Sequence, residues 1–192
     1  MIRLVIFDFD GVLVDSKEAW LEAWKRAFAV LGVKLSRKEF EQECWGVPFP
    51  VVCMKRGFPS RKCSKARRVM LDSYLDSAEH VSVFRGVREL FASLESRGIK
   101  RALLTNVPKH VAEKVTEMFG LGFDAMPDLS KMPAKPSPAG IEAILDSLGI
   151  KKGEAVFVGD TETDAETGKN AGIKTYIVGR DVKSAHDVLK RI

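Results

Sequence analysis

The sequence predicts an α/β protein: a doubly wound parallel sheet with an all-helical domain inserted after the first strand. Three observations carry that reading. Leu4-Val5-Ile6-Phe7, Arg101-Ala102-Leu103-Leu104 and Ala155-Val156-Phe157-Val158 are short, mainly apolar runs, the first and third rich in β-branched and aromatic residues, as buried strands are. From Val83 onward such runs alternate with helical patterns, the order that builds a parallel sheet covered on both faces. Residues 16–80, by contrast, show helical periodicity only.

Taken in order, the first strand leads into Asp8-Phe9-Asp10-Gly11-Val12-Leu13-Val14-Asp15. Side chains alternate along a strand, so Asp8 and Asp10 share a face if the extended backbone continues that far, and Gly11 permits a turn or a close approach. Ser16 is the expected N-cap of a helix whose Trp20, Trp24, Phe28 and Leu31 lie on one face, and Gly32 is its stop. The two Trp read as core, because burying aromatic area is strongly favourable. Ser36-Arg37-Lys38-Glu39 has the capping-box pattern of a second, short helix. A third is expected over about residues 50–56. A fourth, capped by Ser60, is expected to reach about His80, with Val69, Met70, Ser73 and Tyr74 inward. Beyond Val83 the patterns predict a helix from Val87 to Gly98, a strand over 101–104, a helix over 109–119 and a short strand at Phe123–Met126. They continue with a helix over Ser137–Leu148, a strand over 155–158, a helix over 164–171, a strand over Lys174–Val178 and a last helix over 183–191. The expected organisation is a Rossmann-like core of residues 1–15 and 83–192 and a helical domain of residues 16–82.

The totals narrow the function classes. A hydrophobic content of 45% supplies a core and excludes a disordered chain. No apolar run is long enough to span a bilayer, and Met-Ile-Arg-Leu opens directly into a strand without a signal-peptide pattern, so a soluble, cytoplasmic protein is expected. Cys44, Cys53 and Cys63 are odd in number and lack a C-x-x-C pair, which indicates neither a disulfide framework nor a zinc site. His80, His110 and His186 fall in no motif and read as surface residues. The net charge of +5 is unevenly placed: residues 16–83 hold 13 Lys and Arg against 8 Asp and Glu, and the remainder is balanced. Lys55, Arg56, Arg61, Lys62, Lys65, Arg67 and Arg68 follow one another with no acid between. That run reads either as a solvated helix face or as a surface that steers an anionic substrate.

In an open parallel sheet, ligands bind beyond the carboxyl ends of the strands. Three predicted strands end in polar clusters: Asp8 with Asp10, Thr105 with Asn106, and Asp160 with Asp164. A fourth stretch, Ala134-Lys135-Pro136-Ser137-Pro138, supplies a lysine between prolines. Two carboxylates ending a buried strand are costly unless a hard cation such as Mg²⁺ compensates them, or unless one caps the next helix and the other ion-pairs. Brought to one edge, four carboxylates, one ammonium and one hydroxyl suit a divalent cation and a phosphoryl group together. Plainer readings stand beside these: Lys135 as a surface lysine, Thr105 as a strand-end cap, Asp164 as a cap of the helix that follows, and Asp15 as a cap or hinge contact.

On these residues the chain resembles the haloacid dehalogenase-like hydrolase superfamily, in the phosphatase branch with a helical cap inserted after the first motif. It also looks similar to phosphoglycolate phosphatases. The four motifs are Asp8-Phe9-Asp10-Gly11-Val12, Leu104-Thr105-Asn106, Lys135-Pro136-Ser137-Pro138 and Val158-Gly159-Asp160-Thr161-Glu162-Thr163-Asp164, followed by Ala171-Gly172. They occur in order over nearly the whole chain. The resemblance implies that Asp8 is the nucleophile, that Asp10 protonates the leaving oxygen and then activates water, and that Thr105 and the Asn106 backbone N–H hold the phosphoryl group. It implies that Lys135 offsets charge around Asp8. Mg²⁺ would be bound by Asp8, the Asp10 backbone carbonyl and Asp160, with Asp164 as an outer ligand. Residues 16–82 would then be the cap that selects substrate, and Gly46-Val47-Pro48-Phe49 a candidate for the loop that looks into the site. The expected partner is a small phosphorylated metabolite, phosphoglycolate among the candidates, with neither nucleic acid nor membrane. Oligomeric state stays open. Asp10 argues against a dehalogenase, which needs no acid there. A sugar-phosphate mutase using the same Asp pair is the near alternative, and a nucleic-acid-binding protein using the basic segment the distant one. A receiver domain fits poorly, because a long helical insertion interrupts its first connection.

Overall fold

A computed structural model describes residues 1–192, apart from the side chain of Ala78. The chain divides into two compact units, Met1–Asp15 with Val83–Ile192, and Ser16–Ser82. It opens with the wholly buried strand β1 (Leu4–Phe7). The strand stops at Phe7 because the backbone then folds on itself. The N–H groups of Val12, Leu13 and Val14 converge on the Phe9 carbonyl at 3.3, 2.9 and 3.2 Å, and the Gly11 N–H donates to Val14 at 2.9 Å. Asp8 still donates its N–H to the Val158 carbonyl at 2.8 Å, but the chain bends at Phe9 and Asp10 lies in the turn, so the two do not share one face of an extended strand. A short strand, β2 (Val14–Asp15), leads out of it.

The helical unit begins with α1 (Lys17–Leu31), which Gly32 ends in the left-handed conformation; Ser16 stands at its N-cap without a capping bond. Trp20, Trp24, Phe28 and Leu31 are all buried. Both Trp are core residues: the Trp24 ring lies 4.9 Å from Phe49 and Trp20 stacks on Tyr74 at 3.9 Å. The predicted capping box forms between Ser36 and Glu39 and opens α2 (Arg37–Glu39), which passes into a π-helical turn, Phe40–Cys44. Then come α3 (Phe49–Lys55) and α4 (Ser60–Asp76). Ser60 is the first helical residue, with Pro59 in the cap position, and a 3₁₀ turn, Ala78–His80, replaces the expected last turn of α4.

The remaining elements are β3 (Ser82–Val83), α5 (Val87–Ser96), β4 (Lys100–Leu103), α6 (Lys109–Phe119), α7 (Ala139–Leu148), β5 (Ala155–Gly159), α8 (Glu162–Ala171) and β6 (Lys174–Ile177). The sheet is parallel, in the order β4-β1-β5-β6, and β2 pairs with β3. Phe123–Met126 gives one bridge, Ala102 to Ala125, instead of a strand. The cause is local: the Asp124 carboxylate accepts the Arg101 N–H at 2.9 Å, and Pro127 has no N–H to extend a ladder. The last predicted helix is a 3₁₀ segment, Ala185–Lys190. One sheet face packs Leu4, Ile6, Ala102 and Phe157 with Ile141, Ile144 and Leu145 of α7; on the other, Phe7 meets Phe91 of α5 at 5.9 Å. Among the described residues no helix is long and apolar enough to cross a membrane.

Register places the chemistry. Phe7 is level with Leu103 on one side and Val158 on the other. The segments that follow, at Asp8, Thr105 and Asp160, consequently leave the sheet at the same carboxyl edge. Chain order also reverses at β1, which has β4 on one side and β5 on the other, the kind of switch point where such sheets bind ligands.

Candidate active site

Lys135 ties the edge together. Its Nζ lies 2.8 Å from Asp8 Oδ1 and 2.7 Å from Asp164 Oδ1, with Lys135 6% exposed and Asp164 fully buried. The other Asp164 oxygen accepts from Thr161 Oγ1 at 2.6 Å, the Thr161 N–H at 3.1 Å and the Asp160 N–H at 3.3 Å. Asp164 thus closes a capping box at the start of α8 and pairs with Lys135 at once, so the cap reading and the site reading both apply.

Two glycines make room for the carboxylates. A Cβ at Gly159 would collide with Asp164, and one at Gly11 with the Asp160 carboxylate; Gly11 also has φ +78°. Gly11→Ala should therefore cost about 1–2 kcal/mol for the backbone conformation alone, and more as Asp160 is displaced. Urea melts should show that loss, and a variant as stable as wild type would refute the close approach.

The electrostatics are unbalanced. Asp8, Asp160 and Asp164 each offer an oxygen within 4.8 Å of the others, against the single Lys135 ammonium. Burial raises the Asp8 carboxyl well above its ordinary range despite the Lys135 charge, with Asp164 and Asp160 adding to the rise. Burial and then the Asp164 charge push Asp160 up to about 7, and Asp10 contributes. At Asp164 burial acts upward too, but the charge and hydrogen bond of Lys135 and the Thr161 donors prevail and hold it low. Lys135 is raised: burial opposes its charge, and Asp8 and Asp164 more than restore it. Asp160 Oδ1 is buried with no hydrogen-bond partner. An orphaned carboxylate oxygen among three crowded carboxylates is a donor set that fits a hard, oxygen-loving cation of the Mg²⁺ type.

The remaining expected residues fall at the same edge, with one change. Thr105 is buried and its Oγ1 accepts the Val107 N–H at 3.1 Å. Asp10 is partly exposed and bridges to Val14. The Asn106 side chain is turned to the lysine loop: Oδ1 accepts the Lys135 N–H at 2.9 Å and Nδ2 donates to the Lys135 carbonyl at 3.4 Å. Two contributors were missed. Thr161 was visible as the start of a Thr-x-x-Asp capping box. Asn170, whose Nδ2 donates to the Pro136 carbonyl at 2.9 Å, carried no signal because its partner is remote in sequence.

Comparison with known proteins identifies the family. The family model described as haloacid dehalogenase-like hydrolase matches residues 5–178. The chain is 32% identical to pyrophosphatase PpaX of Halalkalibacterium halodurans, over 95% of this chain and 86% of that protein. It is 29% identical to a phosphoglycolate phosphatase of Pseudomonas savastanoi, over 89% of this chain and 67% of that protein. In fold it is similar to a candidate phosphoglycolate phosphatase from Lactobacillus plantarum, with TM-score 0.90, 18% identity and 100% of each chain covered. It is also similar to CbbY of Rhodobacter sphaeroides in complex with phosphate, with TM-score 0.83, 21% identity and 98% and 96% covered. With four ordered motifs meeting at one sheet edge and a family match spanning most of its length, the chain belongs to the haloacid dehalogenase-like hydrolases.

Proposed function

We propose that the protein is a Mg²⁺-dependent phosphatase that hydrolyses small phosphate monoesters through an aspartyl-phosphate on Asp8. The observation that supports this best is the buried Lys135 bridge between Asp8 and Asp164, set beside the unpartnered Asp160 oxygen. A carboxylate nucleophile and a phosphate ester repel each other, so such a site must hold positive charge at the point of attack. Lys135 supplies one such charge. The Asp8 and Asp160 carboxylates and the Asp10 backbone carbonyl would hold the ion, with Asp164 outside them; when bound, it offsets charge on the phosphoryl oxygens.

Asp8 attacks phosphorus while the Asp10 carboxyl gives its proton to the leaving oxygen. Asp10, now a carboxylate, takes a proton from the water that hydrolyses the aspartyl-phosphate, and Asp8 is regenerated. Thr105 accepts from the Val107 N–H, and a hydroxyl that accepts keeps its own O–H to donate to the phosphoryl group. The Asn106 backbone N–H adds a second donor. We place substrate choice in the helical unit, residues 16–82, as the cap.

The test is phosphate release from p-nitrophenyl phosphate, followed by a panel containing phosphoglycolate, pyrophosphate and a hexose phosphate with and without a bisphosphate. The expected result is release that EDTA abolishes and Mg²⁺ restores, with phosphoglycolate turned over more efficiently than pyrophosphate. Pyrophosphate is included because PpaX is named a pyrophosphatase. Bisphosphate-stimulated isomerisation with little phosphate released would replace the reading by a mutase. Salt-sensitive nucleic-acid binding without hydrolysis would replace it by a binder.

A further inference from the structure

We propose that Asn170 and the side chain of Asn106 are positioning residues for Lys135, gripping its backbone from two sides so that the ammonium stays between Asp8 and Asp164. The inference rests on the phosphatase reading of this site. A lysine head on a four-carbon stem has large rotamer freedom, and ion pairs at the head fix only that end. The backbone end needs its own anchor. Lys135 lies in residues 120–138, where no helix or strand supplies one, the Ala125 bridge being distant in sequence.

The two asparagines supply the anchor. Asn106, just beyond β4, satisfies both the N–H and the carbonyl of Lys135, at 2.9 and 3.4 Å, as a neighbouring strand would. Asn170 takes the next carbonyl, that of Pro136, at 2.9 Å. It stands on α8, the helix that begins beside Asp164. So α8 holds the lysine segment twice, at Nζ through Asp164 and at the following backbone carbonyl through Asn170. A slip of the loop along α8 would break both bonds. Asn170 itself is exposed, and an exposed hydrogen bond adds little to stability, so its effect falls on the placement of Nζ.

Asn106→Leu, Asn170→Ala, Asn170→Asp and the Asn106→Leu/Asn170→Ala pair test this. Three quantities are read: kcat and KM on p-nitrophenyl phosphate, the melting temperature, and the rate at which sulfosuccinimidyl acetate acetylates Lys135, followed by mass spectrometry. Each single variant should lower kcat about tenfold through misplacement of the ammonium. KM should stay within about threefold, and Lys135 should be acetylated several times faster at an almost unchanged melting temperature for the Asn170 variants. Asn170→Asp should be as slow as Asn170→Ala, because a carboxylate cannot donate to a carbonyl. The pair should lose less than the product of the singles, since both act on one loop. Unchanged acetylation and kcat, or an Asn170→Asp variant equal to wild type, would overturn the assignment. A wild type without phosphatase activity would overturn the reading of the site instead, and the acetylation rates would still decide the clamp.

Discussion

Asp8→Asn should abolish phosphate release, by about 10³-fold or more, in a protein that stays folded and melts no lower than wild type. The substitution is nearly isosteric and leaves an amide oxygen too weak to attack phosphorus. Its effect on stability follows from the crowding. Asp8 is buried beside Asp160 and Asp164, and its carboxyl is held well above the ordinary range. A group whose folded value is raised contributes its stability in full below its unfolded value, and that contribution is lost as pH rises through the folded value. In the metal-free protein the Asp8 charge therefore weakens the fold as pH rises, and Asn removes that charge. The melting advantage of Asp8→Asn over wild type in EDTA should grow from pH 5 to pH 8. Turnover within tenfold of wild type would eliminate Asp8 as nucleophile, and a variant melting below wild type at pH 8 would refute the crowding.

How far the site could be read from sequence depended on the range of each interaction. The strand ends at Asp8 and Asp160 were legible because apolar runs stop there, and parallel pairing then aligns them at one edge. The Thr161–Asp164 box was legible too, being local. Lys135 could be singled out only by its proline neighbours and by resemblance, since nothing in its own segment shows that its Nζ meets Asp8 and Asp164. The Asn106 and Asn170 contacts were illegible for the same reason, each joining residues distant in sequence. Boundaries failed where a side chain displaced a backbone partner: Asp124 takes the bond that would have extended a strand at Phe123–Met126. The extended face expected for Asp8 and Asp10 gave way to the turn around Phe9, which local hydrogen bonds dictate and apolar periodicity does not register.

Lys135→Met should be among the most destabilising substitutions in the site, and the cost should depend on pH. Methionine fills much of the same volume, so the apolar stem is largely retained and the charge is what is lost. Removing one member of a buried ion pair costs about 3–5 kcal/mol, because the partner is left charged and unsolvated. Here two partners, Asp8 and Asp164, lose the same ammonium, with Asp160 adjacent. The lysine is itself raised by those carboxylates against the effect of burial, so its stabilisation is complete at neutral pH and fades only above the ordinary lysine range. The deficit of the variant should accordingly be large at pH 8 and shrink toward pH 4, where protons neutralise the carboxylates that the lysine no longer serves. Mg²⁺ should recover part of it at pH 8 and less near pH 5, because Asp160, already raised by burial and Asp164 and raised further once the Lys135 charge is gone, then binds a proton in competition with the cation. Urea melts across that range, with and without Mg²⁺, measure this directly, and kcat should fall about 10²–10³-fold with the loss of charge at the phosphoryl oxygens. A deficit independent of both pH and Mg²⁺ would mean that Lys135 acts by packing alone, and the charge-bridged site would have to be abandoned.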